Sequence, residues 1–112
     1  MENLYKENCI RTFTGKYVNI FEPEKNMFCI EDIAHALSKE QRFGNYLKKN
    51  YSVAQHSLIC SELAKPENKF TALMHDASEA YLRDMPRPIK EHLPEYIAIE
   101  NYLMLFLSKI FG

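Results

Sequence analysis

The sequence has no C-x-x-C pair, no block of like charges and no apolar run near the ~20 residues that a membrane span requires. Each absence removes a class of protein. The three cysteines, Cys9, Cys29 and Cys60, are odd in number and lack zinc-knuckle spacing. Neither a disulfide framework nor a small zinc module is therefore expected, and a reducing, cytoplasmic setting fits better. Scattered along the chain, 14 basic side chains face 15 acidic ones for a formal charge of −1, which argues against a surface for extended nucleic acid. The opening residues, Met1-Glu2-Asn3-Leu4-Tyr5-Lys6, lack the basic-then-apolar order of a signal peptide, so no membrane association is expected.

What is there suits a folded chain. Hydrophobic residues make up 46% and charged residues 26% of 112 residues, which excludes disordered and low-complexity classes and leaves room for one domain. A hairpin is expected where Cys9–Phe13 and Lys16–Ile20 flank Thr14-Gly15, because Gly15 accepts the positive φ of a tight turn. The period changes at Ile30. Ile33, Ala34 and Leu37 then share a helical face to about Ser38. Ser52 followed by Gln55 has capping-box spacing and starts a second helix, which Pro66 stops. A third helix is expected from about Glu67 to Ala77, then a stiff loop at Met85-Pro86-Arg87-Pro88, then a fourth helix from near Pro94. The stretch Tyr102–Leu107 is apolar nearly all round, so it needs a cover, and a homo-oligomer formed through this C-terminal helix is expected.

Three residues carry most of the chemical interest. On helical spacing His56 shares a face with Val53, Ile59, Cys60 and Leu63, which points an imidazole inward. On its own such a histidine reads as a core residue bonded to a backbone carbonyl. His75 and Asp76 end the apolar run Phe70–Met74, where two ionisable groups are costly without compensation, and a divalent metal is the usual compensation. Glu79 follows about one turn later, and Asp84 and Arg87 follow that. These also suit a solvated helix end, just as Arg42 suits either a surface position or an oxyanion clamp.

The ordered set His56, His75-Asp76, Glu79 and Asp84, with Ile30–Ser38, Arg42-Phe43-Gly44 and Tyr51–Ser57 in register, resembles the HD-domain metal-dependent phosphohydrolases. It is most similar to the branch containing bacterial 5'-deoxynucleotidases and related bacterial and phage proteins, over about Thr12 to Lys90. The resemblance implies a mainly α, compact helical bundle with a small N-terminal β-hairpin. It would be a single domain over 1–112, with the hairpin segment in 1–29 and the helical core in 30–112. It also implies that His56, His75 and Asp76 ligate one divalent cation, Mn, Co, Mg, Zn or Fe. Glu79 would then assist the attacking water, Asp84 would help protonate the leaving oxygen and Arg42 would contact the phosphate of a nucleotide or small phosphomonoester. His35 lies in a family-like segment off the ligand pattern and reads as structural.

The family's fourth ligand, an aspartate on a later helix, has no counterpart, because no aspartate follows Asp84 and Glu91, Glu95 and Glu100 stand out of place. The chain is thus expected to be one or two helices shorter than the family, with Gly112 after Phe111 as a helix stop, and to bind metal more weakly. The alternatives are a non-catalytic binding or inhibitory protein, phage-encoded, and a fragment of a longer enzyme.

Overall fold

A computed structural model describes residues 5–112, so Met1–Leu4 of the expected N-terminal segment lie outside the described residues. The expected mainly α fold with a small hairpin is what forms. Strand β1 (Ile10–Arg11) pairs antiparallel with β2 (Tyr17–Val18), Ile10 opposite Val18 and Arg11 opposite Tyr17. The ladder is shorter than the alternation suggests. Thr12 begins the turn early, accepting from the Gly15 N–H at 3.0 Å, while Gly15 sits at φ 89° as a tight turn requires.

Six helices follow: α1 (Ile30–Lys39), α2 (Val53–Leu63), α3 (Lys69–Met74), α4 (Glu79–Leu82), α5 (Arg87–Lys90) and α6 (Pro94–Phe111). The buried core draws on nearly all of the chain: Val18 and Ile20 from the hairpin region, Phe28, Ile33 and Leu37 around α1, Val53, Ala77, and Leu103 and Leu107 from α6. Phe28 meets Tyr81 edge-on at 5.3 Å and Phe106 at 5.6 Å. Each fully buried aliphatic side chain contributes ~1.5–3 kcal/mol, so α6 is fastened chiefly by Leu103 and Leu107. Tyr102 and Leu105 remain exposed on its outer side.

The Ser52–Gln55 capping box forms, with Ser52 N–H donating to Gln55 Oε1 at 2.7 Å and Gln55 N–H donating to Ser52 Oγ at 3.0 Å. Three expectations need correction. The helix expected over 67–77 is instead a 3₁₀ turn at Pro66–Asn68, then α3, then a tight turn, then α4. Bonds of i→i−3 type, such as Ala77 N–H to Met74 O at 3.0 Å, overwind the chain there and press Ala77 and Ser78 into the core. Arg87–Lys90 is a helical turn and not an irregular loop, since proline is tolerated in a first turn, where its missing N–H has no partner to lose. Finally, the inward face of α2 is Val53 and Ser57, whereas Ile59 is 45% and Leu63 is 83% exposed. His56 therefore sits at the edge of the packed face.

No helix among the described residues is long and apolar enough to cross a membrane.

Candidate metal centre

The α2–α3 pair and the turn before α4 bring together the residues that the sequence singles out. His56 Nε2 lies 3.6 Å and His75 Nε2 lies 3.0 Å from the same atom, Asp76 Oδ2. The three side chains are partly exposed, at 20%, 38% and 29%. His75 Nδ1 is 2.6 Å from the Ala72 carbonyl oxygen, and because a carbonyl only accepts, Nδ1 carries the proton. Nε2 is left as the ring atom that faces the Asp76 carboxylate, and the two atoms converge where one cation could be held by both.

His56 is placed by Arg42. The Arg42 guanidinium donates from Nη1 to His56 Nδ1 at 3.0 Å and lies against the Tyr51 ring, 5.6 Å from its centroid. Burial first, and the Arg42 charge second, lower the His56 pKa, so the ring is neutral near pH 7. Coordination through Nε2 needs a lone pair there, which moves the ring proton to Nδ1 and deprives Arg42 of its acceptor. The Arg42–His56 bond and ligation by Nε2 therefore exclude one another.

Arg42 stands at the root of a loop closed by a Gln41–Ser52 bridge, with Arg42 N–H to Tyr51 O at 2.9 Å and Val53 N–H to Glu40 O at 2.8 Å. Phe43, Gly44 and Asn45 all take positive φ (57°, 62° and 70°). For a bulky residue such as Phe43 that conformation is strained and persists only because the surroundings impose it. The same loop places Lys49 and Asn50 beside Arg42 and Tyr51 around one recess.

Behind the imidazoles lie the acids. Glu79 Oε2 is buried without a hydrogen-bond partner among the described residues. Burial, and after it the Asp84 and Asp76 carboxyl groups, push its pKa up to about 9. Asp84 reaches this cluster because Arg83 reverses the chain at φ 76°, ψ 162°, a region otherwise occupied by glycine. Arg83 is held there by its Nε bond to Glu40 Oε2 at 2.7 Å and by its N–H bond to Glu79 O at 2.9 Å. The Tyr96 hydroxyl lies 2.9 Å from the carbonyl oxygens of both Leu82 and Arg83. A helix that the sequence marks only as apolar thus also latches the turn carrying Asp84. His35 stacks on Phe13 at 3.8 Å, away from the cluster.

All six expected site residues, Arg42, His56, His75, Asp76, Glu79 and Asp84, therefore gather at one end of the molecule. The structure adds Cys60, which sequence reasoning passes over. Ligand atoms of His56, Cys60 and His75 lie within 4.8 Å of one another, a group that could hold a metal ion. The i, i+4 spacing of His56 and Cys60 on a helix was the available signal. Two imidazole nitrogens and a sulfur, with the Asp76 oxygen beside both imidazoles, are donors that fit a divalent transition-metal ion.

No family model matches the sequence. The chain is 43% identical over 103 residues to the uncharacterized protein YfdR of Escherichia coli strain K12, an alignment covering 92% of this chain and 58% of that protein. It is 32% identical over 112 residues to an uncharacterized protein of Rhodobacter capsulatus, covering 91% and 57% respectively. The chain spans less than three fifths of the length of these curated relatives.

Proposed function

We propose that this chain is a metal-dependent phosphohydrolase of the HD-domain type, acting on nucleotides or related phosphomonoesters. The observation that carries the reading is the placement of His56 Nε2 and His75 Nε2 3.6 and 3.0 Å from one atom, Asp76 Oδ2, with the Arg42 guanidinium on His56. A divalent cation held by His56, His75 and Asp76 would supply Lewis-acid polarisation of water and of the phosphate oxygens. The protein's own residues supply the rest. Once His56 no longer accepts from Arg42, the planar guanidinium is free to grip two phosphate oxygens, with Lys49 close by on the same loop. Glu79 stores a proton in the metal-free protein chiefly because it is buried and lies beside Asp84. A cation on Asp76 would remove a further charge that holds the proton and so ease its loss to solvent. It then accepts the proton of the attacking water, while Asp84, behind the strained Arg83 turn, delivers one to the leaving oxygen.

Release of inorganic phosphate from a panel of nucleoside monophosphates, with Zn, Co, Mn or Mg added, tests this. Glu79→Ala should lower turnover by ~10²–10⁴ and leave metal content nearly unchanged. Arg42→Ala should weaken substrate binding yet tighten metal binding by roughly tenfold or more, since a hydrogen bond from a charged donor no longer competes for His56. No release above that of a His75→Ala, Asp76→Ala double variant at saturating metal would replace this reading with a non-catalytic binding protein.

A further inference from the structure

Cys60 offers a further donor atom beside the two histidines. It follows His56 by one turn of α2, and its Sγ is 3.6 Å from His56 Nε2 and 3.8 Å from Nδ1. In a tetrahedral site with metal–nitrogen bonds of ~2.0–2.1 Å and a metal–sulfur bond of ~2.3 Å, the nitrogen–sulfur edge is about 3.5 Å and a nitrogen–oxygen edge about 3.4 Å. The edges in the protein are 3.6 Å for Nε2–Sγ, and 3.6 and 3.0 Å for the two nitrogens to Asp76 Oδ2. The His75 ligand atom lies within 4.8 Å of those of His56 and Cys60, and Asp76 approaches the two histidines from beside this trio.

The thiol's surroundings differ from those of Cys29. Cys29 Sγ donates to Asp32 Oδ2 at 3.3 Å, an oxygen partner that already occupies it. The partners described for Cys60 are the two ring nitrogens of His56, which is itself a candidate ligand.

We propose that Cys60 joins His56 and His75 as a protein ligand, a thiolate that selects a tetrahedral, borderline cation of the zinc or cobalt kind over magnesium or manganese. The inference rests on the reading that His56, His75 and Asp76 hold a cation. On binding, the S–H bond breaks, a sulfur–metal bond forms and the proton leaves to solvent, so the exchange is one proton for one bond and needs no oxidant or reductant. Thiolate ligation favours Zn, whereas a carboxylate in that place would suit Mg or Mn.

The test is a titration of the full chain with Co(II) alone, followed by absorption. The expected result is a near-ultraviolet sulfur-to-cobalt charge-transfer band together with the visible bands of tetrahedral cobalt. Cys60→Ser should lose the charge-transfer band and bind cobalt at least about tenfold more weakly, since loss of a mere supporting residue already costs ~10–100-fold. Cys60→Asp should recover affinity without the sulfur band and shift the preference toward Mn. Visible cobalt bands in the wild type without a sulfur band would overturn the role of Cys60 and leave the His56, His75, Asp76 reading standing. A charge-transfer band that survives in Cys60→Ser would equally overturn it, by assigning the sulfur to another cysteine. No spectral change on adding cobalt would overturn both.

Discussion

Two partly or wholly buried aspartates in this protein meet opposite fates. Asp32, 3% exposed, is saturated by its own chain: Thr14 donates its N–H to Oδ1 at 2.8 Å and its hydroxyl to Oδ2 at 2.9 Å, and the Cys29 thiol donates to Oδ2. Asp76 receives no backbone N–H among the bonds described, and faces two imidazoles and the acids Glu79 and Asp84. The first arrangement ties the hairpin turn to α1 and asks nothing of solvent. The second gathers imidazoles and acids that the chain's own hydrogen bonds do not saturate, an arrangement that marks a candidate site.

The contrast has an electrostatic signature. Burial alone would raise the Asp32 pKa, but hydrogen bonds from Thr12, Thr14 and Cys29 outweigh it and hold the carboxyl below its ordinary 3.8. A lowered folded value contributes stability that is present above pH 3.8 and is lost as pH falls through the folded value. Glu79 does the reverse. Its folded value near 9 exceeds the ordinary 4.5, so its contribution is fully present below pH 4.5 and drains away as pH rises through about 9.

The comparison breaks most visibly at Asp32. Asp32→Ala should cost ~1.5–3 kcal/mol, because a buried charged acceptor of several hydrogen bonds is removed, and urea unfolding at pH 7 reads this directly. A cost below ~1 kcal/mol would mean that Asp32 is no anchor. At the other end the sign changes. With a chelator present, Glu79→Gln should raise stability at pH 7 by ~1–2 kcal/mol, after allowance for solvent screening of a partly exposed group. That gain should vanish by about pH 4.5, and a gain independent of pH would contradict the assignment. The smallest effect is at the latch: Tyr96→Phe should cost about 1 kcal/mol by removing the bond to the Leu82 and Arg83 carbonyls. It should also lower the turnover proposed here more than stability, since the turn it holds carries Asp84.

How legible these regions are in sequence follows from the range of the interactions. The Ser52–Gln55 box, the Gly15 turn and the stop before Pro66 are local, and each forms where its residues say. The convergence of His56 with His75 and Asp76 is not local, and only the resemblance to a known family brings them together before the fold does. Cys60 is outside that resemblance, and its i, i+4 spacing from His56 gains a chemical meaning only once His75 is seen beside both. The helix expected over 67–77 breaks because packing of Ala77 and Ser78 overrides a continuous helical pattern. Arg83 has no local signal, since a residue that favours glycine's conformation there is held by Glu40 and Glu79, from α1's end and from α4.

The most direct test of the claim that the Asp76 end is built for a cation is thermal unfolding of the full chain with Zn and with a chelator. A ligand at 100 times its dissociation constant stabilises by ~2.7 kcal/mol. For a chain of this size that corresponds to an upward shift of the midpoint of roughly 10 °C or more, at ~4–8 °C per kcal/mol. The account predicts that shift for the wild type and its loss in His75→Ala, Asp76→Ala. The same midpoint with Zn as with chelator would contradict it.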